Sequence, residues 1–274
     1  MSAPLEEGDP LQVERIGPVT VLTLARPERL NALSHGMLRR LGEVLDGLMY
    51  DYEQRVVVLA GEGRAFCAGM DLKGQADGAR WVDGVGAIQT TYAIQEVVAR
   101  VITRLRDVPQ PVVAAVHGIA AGGGLSLACA ADVRVAEPGA RFSAAFARLG
   151  VSGGDMGSSW FLPRIIGFER AAEALYTGRE IGGEEAERIG LVAHLVPAGR
   201  ARAEAIAIAE RMCEVAPFTT RMTKSLLNAS RDGVALRHHL ELENRTQVMM
   251  TATDDFREAC DAFGERRPAA FRDR

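Results

Sequence analysis

The chain has 274 residues, 47% of them hydrophobic, which is enough for one large core or a main domain with a smaller appendage. Its net charge of -4, with acids and bases interleaved, leaves no basic stripe for nucleic acid, and no apolar run reaches the roughly 20 residues that span a bilayer. Cys67, Cys129, Cys213 and Cys260 are too widely spaced for a zinc or CxxC site, which predicts free thiols in a cytoplasmic protein without a metal.

Residues 1–10 form an acidic leader, expected to be flexible and without the charged-then-apolar order of a signal peptide. Leu11–Ile16 and Val19–Leu24 read as strands joined at Gly17-Pro18. Arg26 to Leu33 reads as a loop, after which Ser34 is placed to cap a helix carrying Leu38, Leu41, Leu45 and Leu48 on one face. The run Val56–Ala60 is a buried strand ending at Gly61. Residues 74–86 are rich in glycine and predict a loop over a site, followed by a helix from about Gly86 to Leu105. Pro111–Val116 is the next strand, Leu125–Ala131 a helix, and Val133–Ala136 another strand. The chain to Gly167 is predicted as loop plus one short helix ending near Pro163-Arg164. Helices are expected over 169–177, 183–189, 200–214, 218–230 and 234–250. The fold class is therefore α/β, with a core over 11–198 and a helical region over 199–274.

Two glycine-rich segments follow buried strands. They are Ala65-Phe66-Cys67-Ala68-Gly69-Met70-Asp71-Leu72-Lys73 and His117-Gly118-Ile119-Ala120-Ala121-Gly122-Gly123-Gly124. Glycines after a strand let a ligand approach bare backbone N–H groups, and two such groups aimed at one point can hold an oxygen that becomes negative during a reaction. The spacing does not fit the GxGxxG dinucleotide fingerprint. Tight strand–helix packing explains a lone glycine triplet equally well, but a pair of such loops favours the oxyanion reading. Asp155, in Ser152-Gly153-Gly154-Asp155, is on spacing alone either a helix N-cap or a proton-transfer group. Phe146, Trp160 and Phe161 nearby would desolvate its carboxylate. Ser126 has no His/Asp pair in sequence and reads as a first-turn helix residue, while His117 reads as a packing histidine.

Several segments together resemble the crotonase superfamily, the enoyl-CoA hydratase/isomerase family, over nearly the whole chain. They are Arg26-Pro27…Asn31-Ala32-Leu33, Ala65–Lys73, Pro111–Gly124, Leu162-Pro163-Arg164-Ile165-Ile166-Gly167, Thr177-Gly178-Arg179, Glu185-Ala186…Gly190-Leu191-Val192 and Ala262-Phe263…Arg266-Arg267-Pro268. The resemblance implies a spiral of ββα units with a C-terminal helical trimerisation region, assembled as a homotrimer or a dimer of trimers. It implies a coenzyme A thioester as substrate, with coenzyme A entering as part of that substrate and no other cofactor. The thioester oxygen would sit between the N–H groups of Met70 and Gly123. Ala68 and Asp71, Leu72 and Lys73 would lie along the CoA moiety, Phe146 and Trp160 beside the substrate, and Arg266 near the CoA phosphates.

Two positions depart from the family pattern. Hydratases of this family carry glutamates where this chain has Ser126 and Phe146. Asp155 instead corresponds to an aspartate of other branches, and Ala145–Gly150 with Asp155…Trp160…Leu162-Pro163-Arg164 is similar to the isomerases of ring-epoxide phenylacetyl-CoA. The expected activity is double-bond isomerisation through a thioester enolate, with Asp155 as the single proton shuttle. The alternatives are a hydratase with non-standard acid/base groups, an aspartate-nucleophile hydrolase or dehalogenase, and a catalytically silent acyl-CoA-binding protein.

Overall fold

The computed structural model describes residues 9–72 and 86–273. Most of the leader, residues 1–8, and the glycine-rich segment 73–85 lie outside the described residues. Strands β1 (Leu11–Ile16) and β2 (Val19–Leu24) form an antiparallel hairpin with Leu11 opposite Leu24 and Ile16 opposite Val19. Gly17 turns the chain there at φ +54°, a conformation that side chains beyond glycine disfavour. β3 (Val56–Gly61), β4 (Val112–Val116), β5 (Ile119–Ala121) and β6 (Val133–Ala136) follow in chain order. β7 (Arg141–Ser143), β8 (Glu180–Gly182) and β9 (His194–Leu195) are two or three residues long. The main sheet runs β1-β2-β3-β4-β6-β9 and is parallel from β2 onward, while a second sheet runs β5-β7-β8.

At its centre the main sheet is covered on both faces, which is why β3 and β4 read as unbroken apolar runs. On one side, Leu22, Leu24, Val57, Leu59, Val112, Ala114 and Val116 join the large core with α1 (His35–Leu48) and α2 (Ala87–Asp107). On that side too lies α3 (Gly123–Ala130), every residue of which is buried. Ser34 caps α1 as expected, its hydroxyl accepting from Met37 N–H at 3.2 Å. Helices α4 (Ser158–Ile166), α5 (Phe168–Thr177) and α6 (Gly183–Arg188) complete this side. On the other face, Val19, Val21, Val56, Val58, Val113 and Ala115 pack on Ala201, Ala205, Ile208 and Ala209 of α7 (Ala201–Met212). By packing, α7 belongs to the sheet, although its sequence position puts it with the helical tail. That tail continues as α8 (Pro217–Arg231), α9 (Leu236–Thr251) and α10 (Asp254–Glu265).

Four elements differ from the periodicity reading. β5, β7, β8 and β9 are too short to display an alternating pattern, and each is stabilised by pairing with strands distant in sequence. In addition, α10 extends the helical tail beyond residue 250. Its start carries a signal, since Thr253 Oγ1 accepts from Phe256 N–H and Asp254 and Asp255 occupy the first turn.

Candidate active site

Backbone hydrogen bonds stitch the two glycine loops side by side at the carboxyl ends of β3 and β4. Phe66 N–H donates to His117 O at 2.8 Å, Cys67 N–H to Ile119 O at 3.0 Å, and Ala121 N–H to Cys67 O at 2.9 Å. Fully buried Asn31 supports the first loop from below: its amide donates to Glu62 O at 2.8 Å and Ala65 O at 2.7 Å. Its Oδ1 accepts from Arg26 N–H at 2.9 Å. Arg26 also pairs with Asp71 at 2.9 Å. The Arg26…Asn31 segment is thus the clamp that sets the height of the first loop.

Gly69 has φ +94°, and a Cβ there would stand 2.8 Å from Ala121 O and 3.5 Å from Gly123 N. Only glycine allows this approach of the loops. The Gly69 N–H is taken by the Cys67 thiol, which burial pushes up to about 12, so Cys67 is inert rather than a nucleophile. Leu33 pairs with Met70 through its flanking groups, Leu33 N–H to Gly69 O at 2.7 Å and Asp71 N–H to Leu33 O at 3.0 Å. In that parallel bridge the Met70 N–H points away from Leu33, and it donates to no group among the described residues.

The second loop turns at Gly122, φ +52°, whose N–H donates to Ser143 O at 2.9 Å. Gly123 is the first residue of α3, and its N–H also has no acceptor among the described residues. It therefore stands at the positive end of a buried helix. A Cβ at Gly123 would meet Met156 Sδ at 2.8 Å and Leu33 Cδ1 at 2.9 Å, and one at Gly124 would meet Cys67 O at 2.2 Å. The Phe146 ring lies against Gly122, with Cε1 3.5 Å from the position of a Cβ there.

Asp155 precedes Met156, whose sulfur walls Gly123. Its side chain is half-buried and does not cap a helix, because Gly157, at φ +82°, is the N-cap of α4. Oδ1 accepts from Met156 N–H at 2.7 Å and from the Gln95 amide on α2. Oδ2 has no partner among the described residues. The main chain is held as firmly: Ser126 Oγ donates to Asp155 O at 3.1 Å, and Ser158 Oγ accepts from Asp155 N–H at 3.1 Å.

The other residues singled out in the sequence are spread more widely. Ala68 is anchored by its N–H to Leu30 O at 2.9 Å, Leu72 is exposed, and Lys73 lies outside the described residues. Asp71 is 9% exposed, and its carboxylate serves the Arg26 ion pair. The Trp160 ring is stacked between the guanidinium groups of Arg106 at 4.7 Å and Arg164 at 4.1 Å. Arg266 is exposed at the left-handed C-cap of α10, and nothing among the described residues ties it to the loops. His117 bonds Gly63 O at 2.9 Å, in keeping with a packing role. Gln95, Ser126 and Ser158 were not legible as partners of Asp155. A lone glutamine on a helix carries no motif, and the serine contacts bridge segments about thirty residues apart or close a turn whose shape the letters do not reveal. Among the described residues no group of three or more His, Cys, Asp or Glu side chains could hold a metal, and no helix is long and apolar enough to cross a membrane.

A parallel spiral presenting two cross-bonded glycine loops is the architecture of the crotonase superfamily. Comparison with known proteins agrees. The sequence model described as enoyl-CoA hydratase/isomerase matches residues 14–274. A probable enoyl-CoA hydratase of Mycobacterium leprae is 40% identical over 256 residues, covering 93% of this chain and 87% of that protein. The 1,2-epoxyphenylacetyl-CoA isomerase of Escherichia coli is 33% identical, covering 92% and 94% respectively. The crystal structure of an enoyl-CoA hydratase from Bacillus anthracis superposes with a TM-score of 0.89 at 33% identity, covering 97% of this chain and 100% of that one. The chain belongs to the enoyl-CoA hydratase/isomerase family of enzymes.

Proposed function

We propose that this enzyme shifts a double bond in an acyl-CoA thioester, with Asp155 carrying the proton. The observation that carries this reading is the half-buried Asp155 carboxylate, which caps no helix and keeps one oxygen without a partner among the described residues. The N–H groups of Met70 and Gly123, likewise without acceptors, would receive the thioester oxygen as it gains charge. Each such donor contributes about 3 kcal/mol of barrier lowering in a water-excluded site.

The electron count is simple. Asp155 Oδ2 takes a proton from one carbon of the acyl group, the C–H electrons flow into the enolate held by the two amides, and the proton returns to the carbon at the other end of the allylic unit. Nothing is gained or lost, so one carboxylate suffices. Ser126 and Phe146, standing where the resemblance expects glutamates, bring no second acid or base. The relationship to the epoxyphenylacetyl-CoA isomerase favours an isomerisation of a CoA thioester over water addition. Ala68, Asp71, Leu72 and Lys73, the last outside the described residues, would lie along the CoA moiety, with the Asp71 side chain engaged with Arg26. Arg266 would approach the CoA phosphates, Phe146 and Trp160 would border the acyl group, and no cofactor beyond the substrate's own CoA is required. With its four cysteines free, the enzyme is assigned to the cytoplasm.

The test is deuterium uptake from D2O into crotonyl-CoA and trans-2-decenoyl-CoA. Asp155→Asn should lower the exchange rate by roughly 10²–10⁴-fold, and exchange at the parent's rate would remove Asp155 from the mechanism. The name of the Mycobacterium leprae relative favours a second reading, water addition with Asp155 orienting the water. Formation of 3-hydroxybutyryl-CoA from crotonyl-CoA without exchange in the starting material would select it.

Assembly as a homotrimer or dimer of trimers is part of the proposal. The C-terminal helices leave Leu236, Val248 and Phe263 at 72%, 71% and 88% exposure, apolar surface that association would bury. Sedimentation at micromolar concentration should show a trimer or hexamer, and a monomer there would overturn the assembly.

A further inference from the structure

Asp155 is held by side chains that the chemistry proposed above does not use. Ser126, fully buried on α3, donates its Oγ to Asp155 O at 3.1 Å. The Gln95 amide donates to Oδ1, the same oxygen that accepts the Met156 N–H at 2.7 Å. Both donors therefore converge on one carboxylate oxygen, and Oδ2 is left without a partner among the described residues. A carboxylate bonded this way cannot rotate about its Cβ–Cγ axis without giving up two charge-assisted hydrogen bonds. Gln95 also follows Ile88, Thr91 and Tyr92 on one helix face, at spacings of seven, four and three residues. Together with Ala87 these residues border an open, apolar recess of about 470 Å³. The side chain that fixes the carboxylate is thus part of the wall of the recess beside it.

We infer that Gln95 is a positioning residue: it locks the Asp155 carboxylate through Oδ1 and reserves Oδ2 for proton transfer, while Ser126 braces the main chain beneath. The inference rests on Asp155 being the proton carrier. Serine at position 126 then has a job of its own, as the hydrogen-bonded support of the acid/base group that works elsewhere in the fold.

The experiment replaces Gln95 with Met, which keeps length and removes the donor, and with Glu, which keeps shape and sets a like charge against Asp155. Gln95 is exposed, so both variants should fold, and thermal unfolding checks this. Deuterium uptake into crotonyl-CoA and trans-2-decenoyl-CoA is measured as a rate constant and a KM. Gln95→Met should lower the rate constant roughly 10- to 100-fold with KM within about twofold, because misplacing a reacting group costs rate rather than binding. Gln95→Glu should lower it further, and neither change should add to the loss in an Asp155→Asn background. A KM that rises while the rate constant holds would make Gln95 a mere wall of the recess and overturn the inference. So would a Gln95→Met enzyme as fast as the parent. A parent that exchanges no proton removes the Asp155 reading and the inference with it, whereas exchange lost in Asp155→Asn but intact in Gln95→Met sinks the inference alone.

Discussion

The sheet with its loops and the C-terminal helices solve the burial problem differently. From Val56 to Ala136 the described strands and α3 bury almost all of their apolar side chains, and at Gly69, Gly118 and Gly124 the loops have no room for one more methyl group. Helices α8, α9 and α10 instead leave Leu227, Leu236, Val248, Met249, Phe256 and Phe263 exposed. What ties α8 to the core is polar. Lys224, 5% exposed, donates to Gln110 O at 2.8 Å and Leu105 O at 3.3 Å and pairs with Asp132 at 3.2 Å. Asn228 donates to Arg106 O at 2.9 Å. The first region can set atomic positions to fractions of an ångström from within one chain, and that precision is what paired N–H donors demand. The second is a platform whose apolar surface is left for another copy, in the assembly proposed above.

That contrast can be broken by substitution. Gly124→Ala drives a Cβ to within 2.2 Å of the Cys67 carbonyl, a backbone atom that cannot swing aside. We expect a loss of about 3 kcal/mol or more in urea unfolding, with proton exchange abolished. A variant that melts with the parent would mean the loops are looser than their packing implies. Lys224→Met removes the central tether while keeping most of its volume. Asp132 retains the Val112 N–H at 2.8 Å and is partly solvated, so the expected cost is about 2 kcal/mol. A smaller loss than for the exposed Asp254→Asn would refute the tether. Asp254→Asn, which breaks a surface pair with Arg257 and removes one first-turn charge from α10, should shift stability by no more than about 1 kcal/mol.

The mildest effect belongs to pH. Glu258 near the C-terminus is held down to about 2, first by the Arg267 guanidinium and then by the Ala270 N–H. A carboxylate whose folded value is depressed contributes stability above its unfolded value, near 4.5, and loses it as the pH falls toward 2. The protection factor of the Ala270 amide, its exchange rate relative to an unstructured peptide at the same pH, should therefore fall across that window while core amides stay protected. Uniform loosening of both would place the acid-sensitive contact elsewhere.

Much of the scaffold was legible because its signals are local. Continuous apolar runs announced β3 and β4, the Gly17-Pro18 turn announced the β1–β2 pair, Ser34 announced the start of α1, and the glycine loops stood out by composition. The four short strands were hidden, since two or three residues have no period and take their conformation from partners up to 59 residues away, as with Val135 opposite His194 in the β6–β9 pair. At Asp155 the letters left helix cap and proton carrier open. The turn that passes the cap to Gly157 is visible only once the chain is folded.

The amino-acid order alone determined which elements this chain can form and where its glycine-rich loops lie. Convergence was decided by tertiary structure, which laid Gly69 on Gly123, brought Met156 beside Gly123, and set Gln95 on an aspartate sixty residues away. The reason is physical: propensity and pattern act over a few residues, whereas the distance between two loops is fixed by how the layers beneath them pack.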